Sequence, residues 1–324
     1  MQRTLLTWCL ALLSTTIGFS QNGYRPAYPL EIGIQVGTSQ FLGDLGGQPG
    51  IGKGFIIDTD ISSVRPTFGI FGRYNIGGHF ALRADMSYLQ LHGDDRLANN
   101  TGGFSGSTPR EFIPDAAWYR YYRNLNFKSD VFEMQVAAEI IPYNFELGGG
   151  YKNYSVISPY GFIGVGFFAY QPKGLYNGSW VELKPLRTEG QGLVDGRAEY
   201  QLVQLNIPMG FGVKWMYNDS WALCLEVNHR MTFTDYIDDV STDYVLDESV
   251  FDQLGPGESI IAKSMARRSG ELDSGGVNSI VTAPGAQRGD PKDNDAYYTV
   301  TVRFSFYLDT ENMGGSRRYG CPVW

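Results

Sequence analysis

The residue types best suited to proton transfer in this sequence are its three histidines, His79, His92 and His229. Only His92 is followed closely by a pair of carboxylates, Asp94 and Asp95, which could hold an imidazole base in position. The chain contains no Gly-x-Ser-x-Gly motif that would supply a serine nucleophile beside such a base. We therefore expect a polar strand end at His92 and no enzymatic activity, and we keep a barrel hydrolase as the least favoured hypothesis.

Carboxylates that could bind a cation are densest at Asp235, Asp238, Asp239 and Asp243. Their spacing does not follow the calcium-binding loop of an EF-hand, although calcium stays open as an alternative. The sequence has neither the cysteine and histidine spacing of a zinc site nor a glycine-rich phosphate loop. We expect no cofactor and no bound metal.

The composition indicates which elements position these side chains. Of the 324 residues, 43% are hydrophobic and 19% are charged, which excludes a disordered or collagen-like chain. The 41 glycines, with 21 tyrosines and 19 phenylalanines, favour curved, aromatic-rich sheets over helices. A net charge of −8 argues against nucleic acid as a partner, because phosphate binding requires an excess of lysine and arginine.

Residues 1–20 are typical of a secretory signal peptide. Arg3 precedes an apolar stretch over residues 5–17, and small residues lie near a cleavage point that we place after Ser20. The alternative, a membrane anchor, is disfavoured because the stretch is shorter than the ~20 residues that a spanning helix needs. The sequence therefore predicts export.

Cleavage would leave two cysteines, Cys224 and Cys321, which are too few for a disulfide framework. They could pair with each other, or Cys321 could pair with a partner protein. We prefer the simpler interpretation, in which Cys224 is a buried thiol and Cys321 lies unpaired in the tail.

Apolar and polar residues alternate with period two in eight segments, which is the pattern of strands with one apolar and one polar face. In the clearest segment, Leu205, Ile207 and Met209 alternate with Asn206 and Pro208. The predicted strands cover residues 31–40, 67–76, 79–91, 132–140, 158–170, 204–215, 221–230 and 297–308.

Two all-β folds fit this alternation. A soluble sandwich packs the apolar faces together, whereas a transmembrane barrel turns them towards lipid and encloses the polar faces. The connections between the predicted strands alternate between long and short, as in outer-membrane barrels with long outer loops and short periplasmic turns. We therefore predict an eight-stranded antiparallel transmembrane β-barrel over residues 21–308, followed by a periplasmic tail over residues 309–324.

The polar faces carry equal numbers of acidic and basic residues. An eight-stranded barrel is only wide enough for side chains to fill it, and a buried charge without a partner is very costly. We therefore predict an ionic network and no substantial pore. Its members are Glu31, Asp85, Glu133, Glu139 and Glu226 with Arg73, Arg83, Lys214, Arg230 and Arg303.

The connection from Asp235 to Asp295 holds thirteen acidic and five basic residues, a net charge of −8. We expect a solvated loop, with a cation-binding or partner-docking surface as the alternative.

Several segments together resemble the PorG-like outer-membrane barrels, which are associated with the type IX secretion system and gliding machinery. The resemblance spans nearly all of the chain after residue 20. Its motifs are Glu31-Ile32-Gly33, Phe41-Leu42-Gly43-Asp44-Leu45, Leu82-Arg83-Ala84, Arg123-Asn124-Leu125-Asn126-Phe127, Ser158-Pro159-Tyr160, Thr188-Glu189-Gly190-Gln191-Gly192 and Asp235-Tyr236-Ile237-Asp238-Asp239-Val240-Ser241.

This resemblance implies a non-enzymatic component of the outer membrane that contacts a periplasmic ring of lipoprotein and partner subunits. A closed barrel cannot conduct a folded cargo, so we expect it to act as an anchor in outer-membrane lipid. Arginine and tryptophan are favoured at protein interfaces, which makes the tail a candidate docking segment, with a frayed terminus as the alternative. The docking residues would be Arg317, Arg318, Tyr319, Cys321 and Trp324.

Five acidic residues lie at the bases of the predicted outer loops: Asp44, Glu189, Asp235, Asp238 and Asp239. We expect them to close the barrel rim by hydrogen bonds to loop backbones, and ligand contact is the alternative. The alternative function is that of a stand-alone surface barrel, acting as an adhesin or ligand receptor through these loops.

Overall fold

The computed structural model describes residues 29–45, 61–98, 103–104, 112–113, 116–147, 155–217, 220–272 and 281–308. The signal peptide predicted at residues 1–20 and the tail predicted at residues 309–324 lie outside the described residues. Within the described residues, no helix is both long enough and apolar enough to cross a membrane.

The described chain forms an antiparallel β-barrel. Each strand pairs with the next one in sequence, and the last strand pairs with the first from Leu30↔Leu308 to Leu42↔Ala296, which closes the cylinder. The predicted eight-stranded antiparallel barrel is therefore confirmed. Its strands are β1 (Leu30–Leu42), β2 (Arg65–Ile76), β3 (Phe80–Asp94), β4 (Asn126–Ile140), β5 (Ser155–Tyr176), β6 (Val203–Tyr217), β7 (Trp221–Thr232) and β8 (Ala296–Leu308).

The apolar face of each strand points away from the barrel axis. In β4, the side chains of Phe132, Met134 and Val136 are about half exposed, whereas Glu133 and Gln135 between them are buried. Exposed apolar residues follow the same alternation around the wall, including Ile34, Ile70, Phe167, Leu225 and Val302. A continuous apolar outer surface of this kind is stable in hydrocarbon and not in water, so the fold is that of a transmembrane barrel.

The two ends of the barrel differ. The turn between β2 and β3 needs only residues 77–79, where Gly77 adopts a positive φ of 70° that a side chain would disfavour. β6 and β7 are also joined by a short turn, and the described ends Leu30 and Leu308 lie at this same end. The four long connections lie at the opposite end.

β3, β4 and β5 are longer than their alternation suggested, and β5 runs over 22 residues. They continue past the apolar surface, and a short strand, Ser179–Glu182, pairs back onto β5. Sequence pattern missed these extensions because the residues on their outer faces are polar.

The long connections fold over the outer end of the barrel as a cap. The cap contains helix α1 (Ala116–Arg123), helix α2 (Pro256–Ala266) and the 3₁₀ turn Glu248–Gln253. Its core is continuous with inward-facing residues of the upper strands, such as Leu89, Phe127 and Phe168. The outer part of the lumen is therefore filled by apolar side chains, in addition to the ionic network that the sequence predicted for the barrel interior.

The expectation of a solvated loop between Asp235 and Asp295 is wrong for the described residues 235–272 and 281–295. Ile237, Phe251 and Ala262 are fully buried in the cap core, and Met265 is nearly so. Burying a large apolar side chain contributes about 1.5–3 kcal/mol. The acidic composition hid these residues: Ile237 and Phe251 lie in no long periodic segment, and the buried helix face that carries Ala262 and Met265 is short.

Candidate functional site

All ten charged residues predicted to face inwards lie inside the barrel with buried side chains. Eight of them form one continuous network of ion pairs in the half of the lumen away from the cap. Four are acidic and four are basic, so the network is formally neutral. Its members are Glu31, Asp85, Glu139, Glu226, Arg73, Arg83, Lys214 and Arg303.

Arg83 lies at the centre of this network. Its Nε atom donates to Asp85 at 2.7 Å, and its Nη1 atom donates to Glu139 and to Glu226, each at 2.6 Å. Glu226 also accepts hydrogen bonds from Arg303 Nη1 at 2.7 and 2.8 Å. Because β3 and β7 lie on opposite sides of an eight-stranded barrel, the bond from Arg83 to Glu226 crosses the lumen.

Arg73 and Glu31 extend the network towards the short-turn end. Arg73 Nη1 donates to Glu31 at 2.9 Å, and its Nη2 atom donates to Glu139 at 3.1 Å. Glu31 also receives a hydrogen bond from Lys214 at 3.4 Å and one from the Ser305 hydroxyl at 2.6 Å. These contacts join β1 to β2, β6 and β8, so they tie much of the wall together from within.

The other two charged residues form a separate pair nearer the cap. Arg230 Nη2 donates to Glu133 Oε2 at 2.9 Å, and Asn206 donates to Glu133 Oε1 at 2.7 Å. Arg230 Nη1 donates to the Thr299 hydroxyl at 2.5 Å. Buried ion pairs are tolerated when their remaining polar atoms are hydrogen-bonded in this way.

Aromatic rings fill the spaces between the guanidinium groups. The Arg303 guanidinium lies 4.0 Å from the centroid of the Phe71 ring, and that of Arg83 lies 4.5 Å from the Phe162 centroid. A Cβ atom at Gly33 would lie only 2.7 Å from the Phe71 ring, so the ring position requires glycine there. Rings and ion pairs together block the lumen, which rules out a wide channel at this level.

Cys224 is part of this interior. Its thiol is free and buried, and Sγ lies 4.0 Å from Arg73 Nη1. Cys321 lies outside the described residues.

The acidic residues predicted at the outer rim are in the cap, and four of the five fasten loops. Asp238 accepts hydrogen bonds from the backbone amides of Leu45 at 3.1 Å and of Val240 at 3.0 Å. Asp44 accepts one from the amide of Asp290 at 2.8 Å. The bonds of Asp238 to Leu45 and of Asp44 to Asp290 each join the β1–β2 connection to the β7–β8 connection.

Glu189 and Asp239 join the β5–β6 connection to the β7–β8 connection. Glu189 accepts hydrogen bonds from the amide of Ser241 at 2.9 Å and from the hydroxyl of Thr242 at 2.8 Å. Asp239 accepts one from Thr188 at 2.5 Å and one from Tyr200 at 2.8 Å.

Sequence reasoning missed two arginines that hold the cap. Arg123 donates twice to Asp95, at 2.8 and 2.9 Å, and also to the carbonyl oxygens of Arg288 at 2.5 Å and Asp44 at 2.7 Å. Arg288 donates to Glu189 Oε1 at 2.9 Å. Arg123 opens one of the motifs of the family resemblance, which is the signal that could have singled it out.

Three of these rim carboxylates, together with Asp295, also lie close enough to affect one another's pKa. Burial, together with nearby carboxylates, raises the pKa of Asp235 to about 8 and raises those of Asp44, Asp238 and Asp295. Within the described residues, Oδ1 of Asp295 has no hydrogen-bond partner, and the Ser241 side chain is the hydrogen-bonding neighbour of Asp235.

This cluster does not have the geometry of a metal centre. Across the described ranges, no three histidine, cysteine, aspartate or glutamate side chains are grouped so that they could hold a metal ion.

His92 lies on the outer face of β3, where its ring is 6.3 Å from that of Trp180. The carboxylate of Asp95 binds Arg123, and that of Asp94 accepts a hydrogen bond from the amide of Arg96 at 2.9 Å. The two carboxylates that could have oriented an imidazole base thus serve the folding of the cap.

Comparison with known sequences identifies the family. No curated protein matches the chain significantly. A family model described as a domain of unknown function, DUF6089, matches residues 11–254. The chain belongs to this family. The match covers β1 to β7 together with Arg123, Glu189 and Asp238, so most of this DUF6089 cap lies inside it. Arg288 and β8 lie beyond its end.

Solved structures resemble the DUF6089 chain at the level of the fold. One is Ail, the attachment invasion locus protein of Yersinia pestis, solved with the heparin analogue sucrose octasulfate: identity is 8%, TM-score 0.32, and 86% of this chain and 97% of that chain are covered. For Neisserial surface protein A, the identity is 8% and the TM-score 0.34, and 86% of this chain and 97% of that chain are covered. For OprG from Pseudomonas aeruginosa, the identity is 9% and the TM-score 0.32, and 87% of this chain and 98% of that chain are covered. Identities this low carry no information about function.

Proposed function

We propose that this DUF6089 protein is a non-enzymatic anchor in the outer membrane that holds a periplasmic ring complex, as a component resembling the PorG-like barrels of the type IX secretion and gliding machinery. The observation that carries the anchoring part of the proposal is the bond from Arg83 to Glu226 across the lumen. The secretion role rests on the motif resemblance.

The closed interior argues for attachment over transport. A secreted protein cannot pass a lumen that is filled by ion pairs and rings at one level and by the apolar core of the cap at another. The outer surface, in contrast, provides the apolar wall that holds the chain in lipid. What such a barrel offers to a machine is a fixed position in the membrane and two exposed ends.

The periplasmic end is the proposed docking side. β8 reaches Leu308 at the short-turn end, so the residues that follow, with Arg317, Arg318, Tyr319, Cys321 and Trp324, start from that end. Their proposed partners are lipoprotein and ring subunits of the secretion machine.

Crosslinking in intact envelopes tests the proposal. The burial of Cys224 makes Cys321 the preferred target for a thiol-reactive crosslinker, and a Cys224→Ser variant removes the remaining ambiguity. We expect Cys321 to capture a periplasmic lipoprotein. We also expect a chain truncated after residue 308 to stop secretion while still migrating as a folded barrel in unheated gels. Normal secretion by the truncated chain would overturn the docking proposal.

The alternative proposal is an adhesin or ligand receptor that acts through the outer cap. One observation favours it, because Leu246 and Ile260 are apolar cap residues whose surfaces are 79% and 63% exposed. A variant that combines Leu246→Ser and Ile260→Ser should then abolish attachment of cells to their target and leave secretion intact. Unchanged attachment in that variant would exclude this role for the two residues.

A further inference from the structure

The outer faces of β3, β4 and β5 change from apolar to charged in three consecutive cross-strand rows. The first row is Tyr88–Phe132–Ala169, the second is Gln90–Asp130–Gln171, and the third is His92–Lys128–Lys173. The first row continues the apolar surface that faces lipid, since Phe132 and Tyr88 are 48% and 40% exposed. The third row therefore lies just beyond the hydrocarbon, at the level of lipid headgroups.

The two lysines of the third row differ in their pairing with carboxylates. Lys128 is in none of the ion pairs formed by the described residues, and its Nζ atom lies 5.9 Å from the centroid of the Trp180 ring. Lys173 donates to Asp130 Oδ2 at 3.1 Å; the two side chains are 26% and 30% exposed, and the ammonium group has two further N–H groups.

Nearby acidic groups lie to the sides of the two ammonium groups. Asp130 is in the row nearer the apolar surface, where it also accepts hydrogen bonds from Tyr88 at 2.8 Å and Gln90 at 2.9 Å. Glu182 pairs opposite Lys173 in the short strand beyond β5. The Lys128 side of the row, next to His92 and Trp180, is the part with the cationic excess.

We infer that this row, His92, Lys128 and Lys173 with Trp180, binds the phosphate of an anionic lipid in the outer leaflet. The indole of Trp180 is 40% exposed beside Lys128, an amphipathic position typical of a membrane interface. Lysines at that level place their ammonium groups among headgroups while their carbon chains stay on apolar surface. The partner is a lipid and not a free anion because the site is continuous with the lipid-facing wall.

Native mass spectrometry of the purified full chain, released from mixed micelles, tests this inference. Phosphatidylglycerol and phosphatidylcholine, which differ in headgroup charge, serve as competing probes. We expect wild type to retain phosphatidylglycerol preferentially, and the Lys128→Gln, Lys173→Gln double variant to lose about fivefold of that preference for each lysine removed. The corresponding double variant to arginine should keep it, since the charges remain.

Two lysines of the cap provide matched controls. Lys184 lies 5.9 Å from the Tyr200 ring centroid, as Lys128 does from Trp180, and Lys263 pairs with Asp252 at 2.6 Å, as Lys173 does with Asp130. The Lys184→Gln, Lys263→Gln variant should retain the wild-type preference. An unchanged preference in the Lys128 and Lys173 glutamine variant, or an equal loss in the control, would overturn the inference. Excess inorganic phosphate should not displace the lipid, and displacement would also contradict it.

Discussion

Arg83 on β3 and Glu226 on β7 meet across the barrel, with Nη1 and Oε2 2.6 Å apart. Both side chains are nearly fully buried, and each has a further partner of opposite charge, Asp85 for Arg83 and Arg303 for Glu226. The opposite walls are thus bonded directly to each other, and the structure closes the lumen with charge where a soluble protein would use a hydrophobic core.

Removing one charge from this network should be costly. In Glu226→Gln, two guanidinium groups lose a buried carboxylate, and we expect a loss of about 3–5 kcal/mol in the free energy of unfolding. Urea titration of the protein in lipid vesicles measures it. The control is Glu199→Gln, because Glu199 forms an exposed pair with Arg187 that contributes at most about 1 kcal/mol. Equal losses in the two variants would contradict the network's role.

The closed lumen also predicts electrical behaviour. Wild type should give no sustained conductance in planar bilayers. A variant that combines Arg83→Ala and Glu226→Ala removes the pair across the lumen without leaving either charge alone, and it should also remain non-conducting because the apolar core of the cap still closes the lumen. A stable conductance of wild type would be inconsistent with the filled interior.

The cap should weaken as the pH rises. The pKa of Asp235 is about 8, far above its ordinary value of 3.8, and that of Asp239 is raised to about 6. The folded cap therefore binds protons that the unfolded chain has already released, so its stability falls between about pH 4 and 8 as these groups ionise next to Asp44 and Glu189. Limited proteolysis of the cap at pH 5.5, 7 and 8.5 measures this.

Asp235→Asn should flatten that pH profile, because the amide does not ionise. Asp293→Asn, on the exposed surface of the same connection, should leave the profile as in wild type. Greater resistance of the wild-type cap at pH 8.5 than at pH 5.5 would show that the sign is wrong.

Arg123 should be irreplaceable by lysine. Its planar guanidinium reaches Asp95 through two nitrogens and two backbone carbonyl oxygens besides, which one ammonium group cannot do. We expect Arg123→Lys to lower the free energy of unfolding of the cap by about 3 kcal/mol. Hydrogen exchange should report faster opening of residues 235–245 and an unchanged barrel. Arg96→Lys, in an exposed pair with Glu271, is the control.

The sequence predicts those features of the fold that depend on the alternation of side chains between the two faces of a strand. Period-two alternation fixes which face of a strand a residue occupies, so Glu133 and Arg230 could be placed inside the barrel before any partner was known. Which residues meet across the lumen depends on the stagger between strands, and no local pattern records it. The bond from Arg83 to Glu226 joins residues 143 positions apart in sequence.

The fold of the cap could not be predicted from sequence periodicity, for a different reason. Ile237 is buried by tertiary packing of irregular backbone and Phe251 lies in a short 3₁₀ turn, so their positions carry no extended periodic signal. Arg123 and Asp95 lie at the two ends of the connection between β3 and β4, and their pairing follows no periodic spacing either. The acidic composition of residues 235–295 suggested a solvated loop, but the apolar side chains in this segment bury it in the cap.

The pairing of β1 with β8 along thirteen residues has a consequence for biogenesis. Without the final strand, the sheet has two free edges and nothing to seal them against hydrocarbon or against neighbouring chains. Closure of the barrel therefore requires the chain through β8. A chain that stops short of β8 should be degraded in transit, never reaching the bilayer.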